Sequence, residues 1–315
     1  MKNNDALIDF AQYLKDQNAD IDEDLDKHFD EYIRQTGIDP ASLIDSLTGE
    51  RAVSEAEAEN AYDYLELAES APTAKEALKL AKKALSLEPE NWDAAVMVAQ
   101  ISAKNPESLL EKYEKLIEEA EAVMIRDGWF SDEYIGEFWG FHETRPYMRL
   151  RSEYLTTLID CSMLKKAVKQ SEDLLRLCEN DNLGVRYGLM HLYAHFEDEE
   201  SALRLLNKYP EESSMFLLPL SILYYKLGDL KKAAQYLRQL KETNKDTLRF
   251  FNTLLKGNPE DLLDEEMSFG YRPFTIQELV IAFQQNTFLY GQSASYFSWG
   301  QKKLKGMKNT KKPRA

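Results

Sequence analysis

Apolar and polar positions along this chain follow the period of an α-helix over most of its length. Runs of small and aliphatic residues, three and four positions apart, begin near Ala77, Ala167, Ala202 and Ala233. This spacing places apolar side chains on one helical face, whereas a half-buried strand would need strict alternation. The chain has only 10 prolines and 13 glycines, and strands joined by tight turns usually need more of both. The pattern predicts an all-α fold.

The helical runs come in pairs that recur at a spacing of about 34 residues. The clearest pair reads YYKLGDLKKAAQYL at 224–237, where Gly228 allows a tight turn and Ala233 lets the helices approach closely. In this recurrence the chain resembles the tetratricopeptide superfamily. The resemblance implies a tetratricopeptide-like alpha-alpha superhelix, which is a solenoid of helix pairs with atypical terminal caps.

Changes in composition divide the chain into four predicted segments. Residues 1–52 form an acidic helical segment, and residues 53–256 carry the tetratricopeptide-like repeats. An insertion rich in aromatic residues and glycine interrupts these repeats at 128–146. Residues 257–301 have a helical pattern without repetition, as expected of a helical cap that covers the apolar end of a stack. Residues 302–315 form a basic tail that we expect to be disordered.

Start and stop signals predict several helix ends. Ser54, with Glu57 three residues later, has the arrangement of a capping box. Helices are expected over about Ala74–Leu87 and about Pro106–Arg126. The second of them begins at a proline, which suits the first turn of a helix. These two helices are the second members of successive pairs.

Two motifs carry a narrower resemblance. WGFHETRPYMRLRSEYL at 139–155 and DLLRLCENDNLGVRYGLM at 173–190 are similar to a segment of the suppressor-of-tumorigenicity type of tetratricopeptide-like proteins. The matching elements are ETRPYMR, which precedes a helix pair, and NDNLGVRY, which opens the next pair. The resemblance covers residues 139–209 and implies an interaction module with an unidentified partner rather than an enzymatic activity.

The charge of the chain is strongly negative but uneven. The formal net charge is −16, and residues 1–50 hold 13 acidic and 4 basic residues. Residues 302–315 hold 7 basic and no acidic residues. An acidic body repels phosphate groups, which argues against general nucleic-acid binding. For the basic tail, a solvated end, a site for acidic lipids or nucleic acid, and a screen for the acidic body all remain open.

Cysteine usage and hydropathy predict a cytoplasmic protein. Cys161 and Cys178 do not form a CxxC pair, and two such cysteines do not imply a disulfide framework. The first ten residues, MKNNDALIDF, lack the apolar core of a secretory signal. Since no apolar run of about 18 residues occurs, no membrane span is expected. The sequence does not indicate the oligomeric state.

The first helix of each pair lines the concave groove of a tetratricopeptide-like solenoid, and this groove is the predicted binding site. The residues that we expect to hold a protein or peptide there are Arg145, Arg149, Tyr187, His191, Tyr225 and Lys226. The same spacing also places His195, Met215, Leu218 and Ile222 on this face. Rigid aromatic rings and planar guanidinium groups lose little entropy on binding, which suits peptide capture.

The arginines that surround the ETRPYMR motif allow two interpretations. Arg145, Arg149 and Arg151 lie close in sequence, and Arg186 opens the next pair. In one interpretation they form a pocket for a carboxylate, which a guanidinium binds through two parallel hydrogen bonds. In the other they form ion pairs between helices, with partners such as Glu143, Glu153 and Asp181.

Catalytic and metal-binding signatures are weak, and we expect neither an enzyme nor a cofactor. His142 and Glu143 begin an HExxH-like pattern, but Pro146 occupies the position of the second histidine. His191 and His195 are four residues apart on a predicted helix, yet the sequence shows no third ligand. Two alternatives to a protein-binding scaffold remain: a regulator whose superhelix closes on a signalling peptide, and a hydrolase or metal enzyme at the 128–146 insertion.

Overall fold

The computed structural model describes residues 57–257 and 272–307, together with Tyr32, Arg34, Thr36 and Glu55. Across these residues the protein is all-helical and contains no β-strand. The chain divides into two compact units, Met1–Pro89 and Glu90–Ala315. None of the helices in the described residues combines the length and apolar character that a membrane span needs.

The first unit contains the helix pair α1 (Ala61–Glu69) and α2 (Ala74–Leu87). The predicted bounds of α2 are confirmed. Ser54 of the predicted capping box lies outside the described residues, and α1 begins at Ala61. A capping box forms at its start: the side chain of Asn60 accepts a hydrogen bond from the backbone N–H of Asp63 at 3.1 Å, and the Asp63 carboxylate accepts one from the backbone of Asn60.

The second unit contains four further helix pairs. These are α3 (Trp92–Ser102) with α4 (Pro106–Arg126), α5 (Arg145–Asp160) with α6 (Leu164–Leu177), α7 (Val185–Phe196) with α8 (Glu199–Lys208), and α9 (Ser214–Lys226) with α10 (Leu230–Thr243). The second helix of each pair packs on the first helix of the next. Ala167, Ala202 and Ala233 are fully buried, so these small residues allow the close approach that their spacing predicts.

The aromatic insertion folds as a compact connection between α4 and α5. It contains one turn of 3₁₀ helix at Phe138–Gly140. The backbone N–H of Gly136 donates to the carbonyl of Leu177 at 3.1 Å, and the N–H of Glu179 donates back to Gly136 at 2.7 Å. Phe138 is fully buried. These contacts tie the insertion to the loop between α6 and α7, so its core is structural.

Four C-terminal helices complete the described part of the second unit. They are α11 (Thr247–Lys256), α12 (Ile276–Gln285), α13 (Thr287–Tyr290) and α14 (Ala294–Gly306). We call 272–307, which contains α12 to α14, the C-terminal segment. In this segment α12 packs on α9 and α11, α13 packs on α7, and α14 packs on α10 and α11. The segment therefore lies against the first helices of the last two pairs.

Specific polar contacts seat the C-terminal segment. The carboxylate of Glu278, which is almost fully buried, accepts a hydrogen bond from the backbone N–H of Ser214 at 3.2 Å. This places a carboxylate at the N-terminus of α9, where the helix dipole stabilises negative charge. The amide of Asn244 donates to the Ser214 hydroxyl at 3.0 Å and to the carbonyl of Thr275 at 2.8 Å. The segment thus docks in one register through directed hydrogen bonds.

Helix α9 is buried on every side. All eleven residues from Ser214 to Tyr224 are buried. A surface helix keeps a polar face toward water, whereas a helix that is apolar all round belongs in a core. Because α8, α7, α10 and the C-terminal segment surround α9, it is the central helix of the second unit rather than one wall of an open groove.

The structure bears on three of the predicted segments. Except for Tyr32, Arg34 and Thr36, which are helical, residues 1–52 lie outside the described residues. The predicted repeat region 53–256 contains the boundary between the two compact units. The disordered tail expected from residue 302 is wrong for its first residues, because α14 continues to Gly306; residues 308–315 lie outside the described part.

Candidate functional site

His191 cannot line an open groove, contrary to the sequence prediction. Its side chain is fully buried, with Nδ1 2.7 Å from the carbonyl of Tyr187 and Nε2 2.6 Å from the hydroxyl of Tyr290 in the C-terminal segment. The carbonyl only accepts, so Nδ1 carries the proton and Nε2 accepts from Tyr290. Burial lowers the pKa of His191 to about 4. Both ring nitrogens are engaged, so the His191–His195 pair is not available to a metal.

Tyr225 and Lys226 are also engaged in structural contacts. The ring of Tyr225 lies 5.5 Å from that of Tyr296 and 5.2 Å from that of Trp299, both on α14. The ammonium of Lys226 donates to the carbonyl of Ala194 at 3.0 Å, at the C-terminal end of α7. A cation there satisfies terminal carbonyls and interacts favourably with the helix dipole. Neither residue presents a free binding group to a concave groove.

Tyr187 belongs to a cluster built by the NDNLGVRY motif. The guanidinium of Arg186 lies 4.2 Å above the Tyr187 ring and forms ion pairs with Asp181 at 2.9 Å and Glu211 at 3.2 Å. The Tyr187 hydroxyl donates to Glu211 at 3.1 Å. The buried Asp181 carboxylate also accepts the backbone N–H of Val185 at 2.7 Å, which stabilises the start of α7. The motif therefore fixes the entry to this helix.

Arg145 and Arg149 point to separate partners rather than to a common pocket. Arg149 binds Asp93 of α3 through two hydrogen bonds of 2.7 and 2.5 Å. Arg145 donates to the carbonyl of Trp139 at 2.8 Å. These contacts join α5 to α3 and to the aromatic insertion. The Arg149–Asp93 contact is an ion pair between helices, although this acid is neither Glu143 nor Glu153, whereas Arg145 binds a backbone carbonyl.

Arg151 is the arginine that lies deepest. Its side chain is 8% exposed, and it donates to the hydroxyl of Tyr147 at 2.6 Å and to the Gln170 side chain at 2.8 Å. It also lies 3.2 Å from the carboxylate of Glu121 on α4. The site therefore connects three helices, and an arginine between helices requires such partners because an unpaired buried charge is strongly destabilising.

The candidate functional site is a depression on the second unit that the sequence did not predict. It has a volume of about 370 Å³ and is lined by residues 162–166, which span the turn after α5 and the first turn of α6, and by His195 and Phe196 at the end of α7. Met163 is 39% exposed and Phe196 is 38% exposed. Large apolar side chains that share one concave surface are the usual anchor points of a protein-binding site.

Two helix ends with left-handed backbone shape this depression. Ser162 follows α5 with a φ of 56°, and Glu197 follows α7 with a φ of 61°. In each turn, the residue after the left-handed one donates its backbone N–H to a carbonyl five residues earlier. Met163 donates to the carbonyl of Leu158 at 2.8 Å, and Asp198 donates to the carbonyl of Tyr193 at 3.0 Å. Both helices therefore stop abruptly, which leaves the depression open between their ends.

Charged and aromatic groups surround the apolar centre of the depression. Residues 161–171 contain Lys165, Lys166 and Lys169 and no acidic residue. Lys166 pairs with Glu114 at 3.2 Å, whereas Lys165 and Lys169 have no side-chain partner in the part of the chain that the structure describes. The ring of His195 packs edge-on against Phe196 at 5.0 Å, and burial, with the nearby Lys226, lowers the pKa of His195.

Neither a comparison with models of known protein families nor a comparison with curated proteins gives a match for this chain. The resemblance to tetratricopeptide proteins stays a prediction from the sequence. The geometry of the depression and the residues that surround it are therefore the main indication of function.

Proposed function

We propose that this chain is a protein-binding adaptor whose binding site is the depression at residues 162–166, His195 and Phe196. The single observation that carries the proposal is the exposure of Met163 and Phe196 on the same concave surface. Fully burying an exposed side chain of this size contributes about 1.5–3 kcal/mol, and the exposed part of each of these two residues can contribute a share of that. A few such anchors usually supply most of the binding energy of an interface.

The sequence also predicted a protein-binding scaffold, but it placed the binding site in the concave groove rather than in this depression. We propose a tetratricopeptide-like superhelix for the helix pairs, supported in the second unit by the packing of α4 on α5, of α6 on α7 and of α8 on α9. The C-terminal segment covers His191 and Tyr225 in the predicted groove. The depression lies at the ends of α5 and α7, and the C-terminal segment reaches its margin, where the ring of Phe288 packs edge-on against that of His195 at 5.6 Å. A cytoplasmic location is part of the same proposal.

The two alternatives gain no supporting contact from the described residues. Closure of the superhelix on a signalling peptide requires an open groove, but α9 is already buried on every side. A hydrolase or metal site at the insertion would involve His142, whose nearest polar contact is Arg145 Nη1 at 3.4 Å from Nδ1. An adaptor without catalytic activity therefore remains the function that the geometry supports best.

A peptide-display selection tests this proposal. The full-length chain would be screened against a library of random twelve-residue peptides, and affinities of the selected peptides would be measured by fluorescence anisotropy. We expect Met163→Ala and Phe196→Ala to weaken binding at least tenfold. Leu230→Ala is the matched control, because Leu230 is 46% exposed and does not line the depression. Equal binding by the wild type and both site variants would overturn the proposed site.

A further inference from the structure

We infer that the partner presents an acidic peptide, in which a bulky apolar side chain is flanked by carboxylates. This inference rests on the proposed function and specifies the chemistry of the occupant. It combines the apolar surface of Met163 and Phe196 with a cluster of lysines beside it. The depression would hold the apolar side chain, and the lysines would contact the flanking carboxylates.

The cationic cluster stands out because the rest of the chain is acidic. With a formal net charge of −16, the chain repels most acidic partners at long range. Lys165, Lys166 and Lys169 lie in an eleven-residue stretch without any acidic residue. Lys165 and Lys169 are four residues apart on α6 and therefore share one helical face. A peptide carboxylate finds local attraction here that the surrounding surface does not provide.

The lysines are available for such a contact. Among the described residues, Lys165 and Lys169 form no ion pair or side-chain hydrogen bond, whereas Lys166 already contacts Glu114. An exposed ion pair contributes only about 0.2–1 kcal/mol. The lysines therefore act mainly on partner choice and association rate, and the apolar anchors supply most of the affinity.

The acidic peptide fits this surface better than a nucleic acid or a lipid membrane. Tracking a phosphate backbone requires an extended row of cations, and binding then depends steeply on salt. Here Glu114 and Glu197 lie at the edge of the cluster and pair with Lys166 and Lys226. A compact cation pair next to an open apolar depression matches a short peptide with one anchor.

A charge-swap experiment tests the inference with peptides from the display selection described above. For a peptide that loses affinity in Phe196→Ala, two synthetic versions would be made, with each Asp and Glu replaced by Gln or by Lys. We expect the acidic version to bind about three- to tenfold more tightly than the Gln version, because its carboxylates would form exposed ion pairs with Lys165 and Lys169. In the Lys165→Glu/Lys169→Glu variant, this order should reverse, so that the Lys version binds best.

A control variant with the same change in charge separates local from global effects. Lys75→Glu/Lys82→Glu alters two exposed lysines of α2 in the first unit, and it should leave the preference for the acidic version unchanged. If Phe196-dependent peptides are neutral or basic, the inference fails while the proposed function stands. If no selected peptide depends on Phe196, the proposed function itself fails. Binding of duplex DNA or phosphatidylserine vesicles through Lys165 and Lys169, in place of acidic peptides, would also overturn the inference.

Discussion

The imidazole Nε2 of His191 lies 2.6 Å from the hydroxyl of Tyr290, although 99 residues separate them. His191 lies on the first helix of the third pair in the second unit, and Tyr290 ends the short helix α13. This hydrogen bond joins the helical-repeat region to the C-terminal segment inside the core. It also shows why the predicted groove is closed at this point.

The buried His191 should make the stability of the protein depend on pH. Its pKa is lowered from 6.5 to about 4 in the folded protein, so the unfolded chain binds the proton more tightly. Stability is therefore unaffected by this group above pH 6.5, falls as the pH decreases from 6.5 to about 4, and levels off below that. The full loss is about 3 kcal/mol.

Urea unfolding at pH 7 and pH 5 measures this effect. Between these two values, the wild type should lose about 2 kcal/mol more of its free energy of unfolding than His191→Gln, which cannot titrate. Equal pH dependence in the wild type and His191→Gln would show that the imidazole is not held neutral by the fold.

Gly300 marks the closest approach of α14 to α11. A Cβ atom at Gly300 would lie 2.6 Å from Cε1 of Phe251, which is fully buried. Since real side chains do not tolerate this distance, Gly300→Ala must displace either the helix or the ring. We expect it to lower the free energy of unfolding by about 1–3 kcal/mol, as overpacking does.

Gly188→Ala is a matched control for this substitution. Gly188 lies inside α7, and a Cβ atom there would have no neighbour within 4 Å. Alanine favours helix more than glycine does, so the control should raise the free energy of unfolding by about 0.5–1 kcal/mol. The two alanine variants should therefore shift thermal unfolding in opposite directions; a shift in the same direction would contradict the proposed packing of α14.

Two arginines on α5 should differ strongly in their contribution to stability. The side chain of Arg151 is 8% exposed, whereas that of Arg149 is 43% exposed. Arg151→Ala removes the donor to the buried Gln170 side chain and leaves a void between the helices, and should cost about 2–4 kcal/mol. Arg149→Ala breaks a partly exposed ion pair with Asp93, and should cost only about 1 kcal/mol.

Chemical denaturation of both variants tests this difference at one pH. Because both variants remove one positive charge, their net charge is the same and a general electrostatic effect cancels. A similar loss in the two variants would mean that Arg151 is more solvated than the structure indicates. Arg151→Met, which keeps the volume of the side chain, should recover part of the lost stability.

The helices were predictable because their signals are local. The bounds of α2 and α4 follow from an apolar stripe and, in α4, from Pro106 in its first turn. The closure of the groove depends on contacts between distant residues, which a periodic pattern does not contain. One signal was present: Met215, Leu218 and Ile222 are apolar on the face that was expected to be open. Three apolar residues on that face indicate a cover, and all three are buried.

The depression could not be predicted because no usual turn residue marks it. Helices often end at a glycine with positive φ, but Ser162 and Glu197 adopt this conformation without one.

The contacts of the arginines could not be predicted for a different reason. Their types and positions were evident from the sequence, but the choice between a shared pocket and separate ion pairs depends on where Asp93, Glu121 and Gln170 lie in space.

The central position of α9 also restricts how this chain can change in evolution. Arrays of helix pairs often lengthen or shorten by duplication or deletion of a whole unit. A copy inserted after α10 would separate α9 from α12 and remove the buried contact between Ser214 and Glu278. Variation in the number of units is therefore expected among the pairs that precede α7, while the last two pairs and the C-terminal helices must be inherited together.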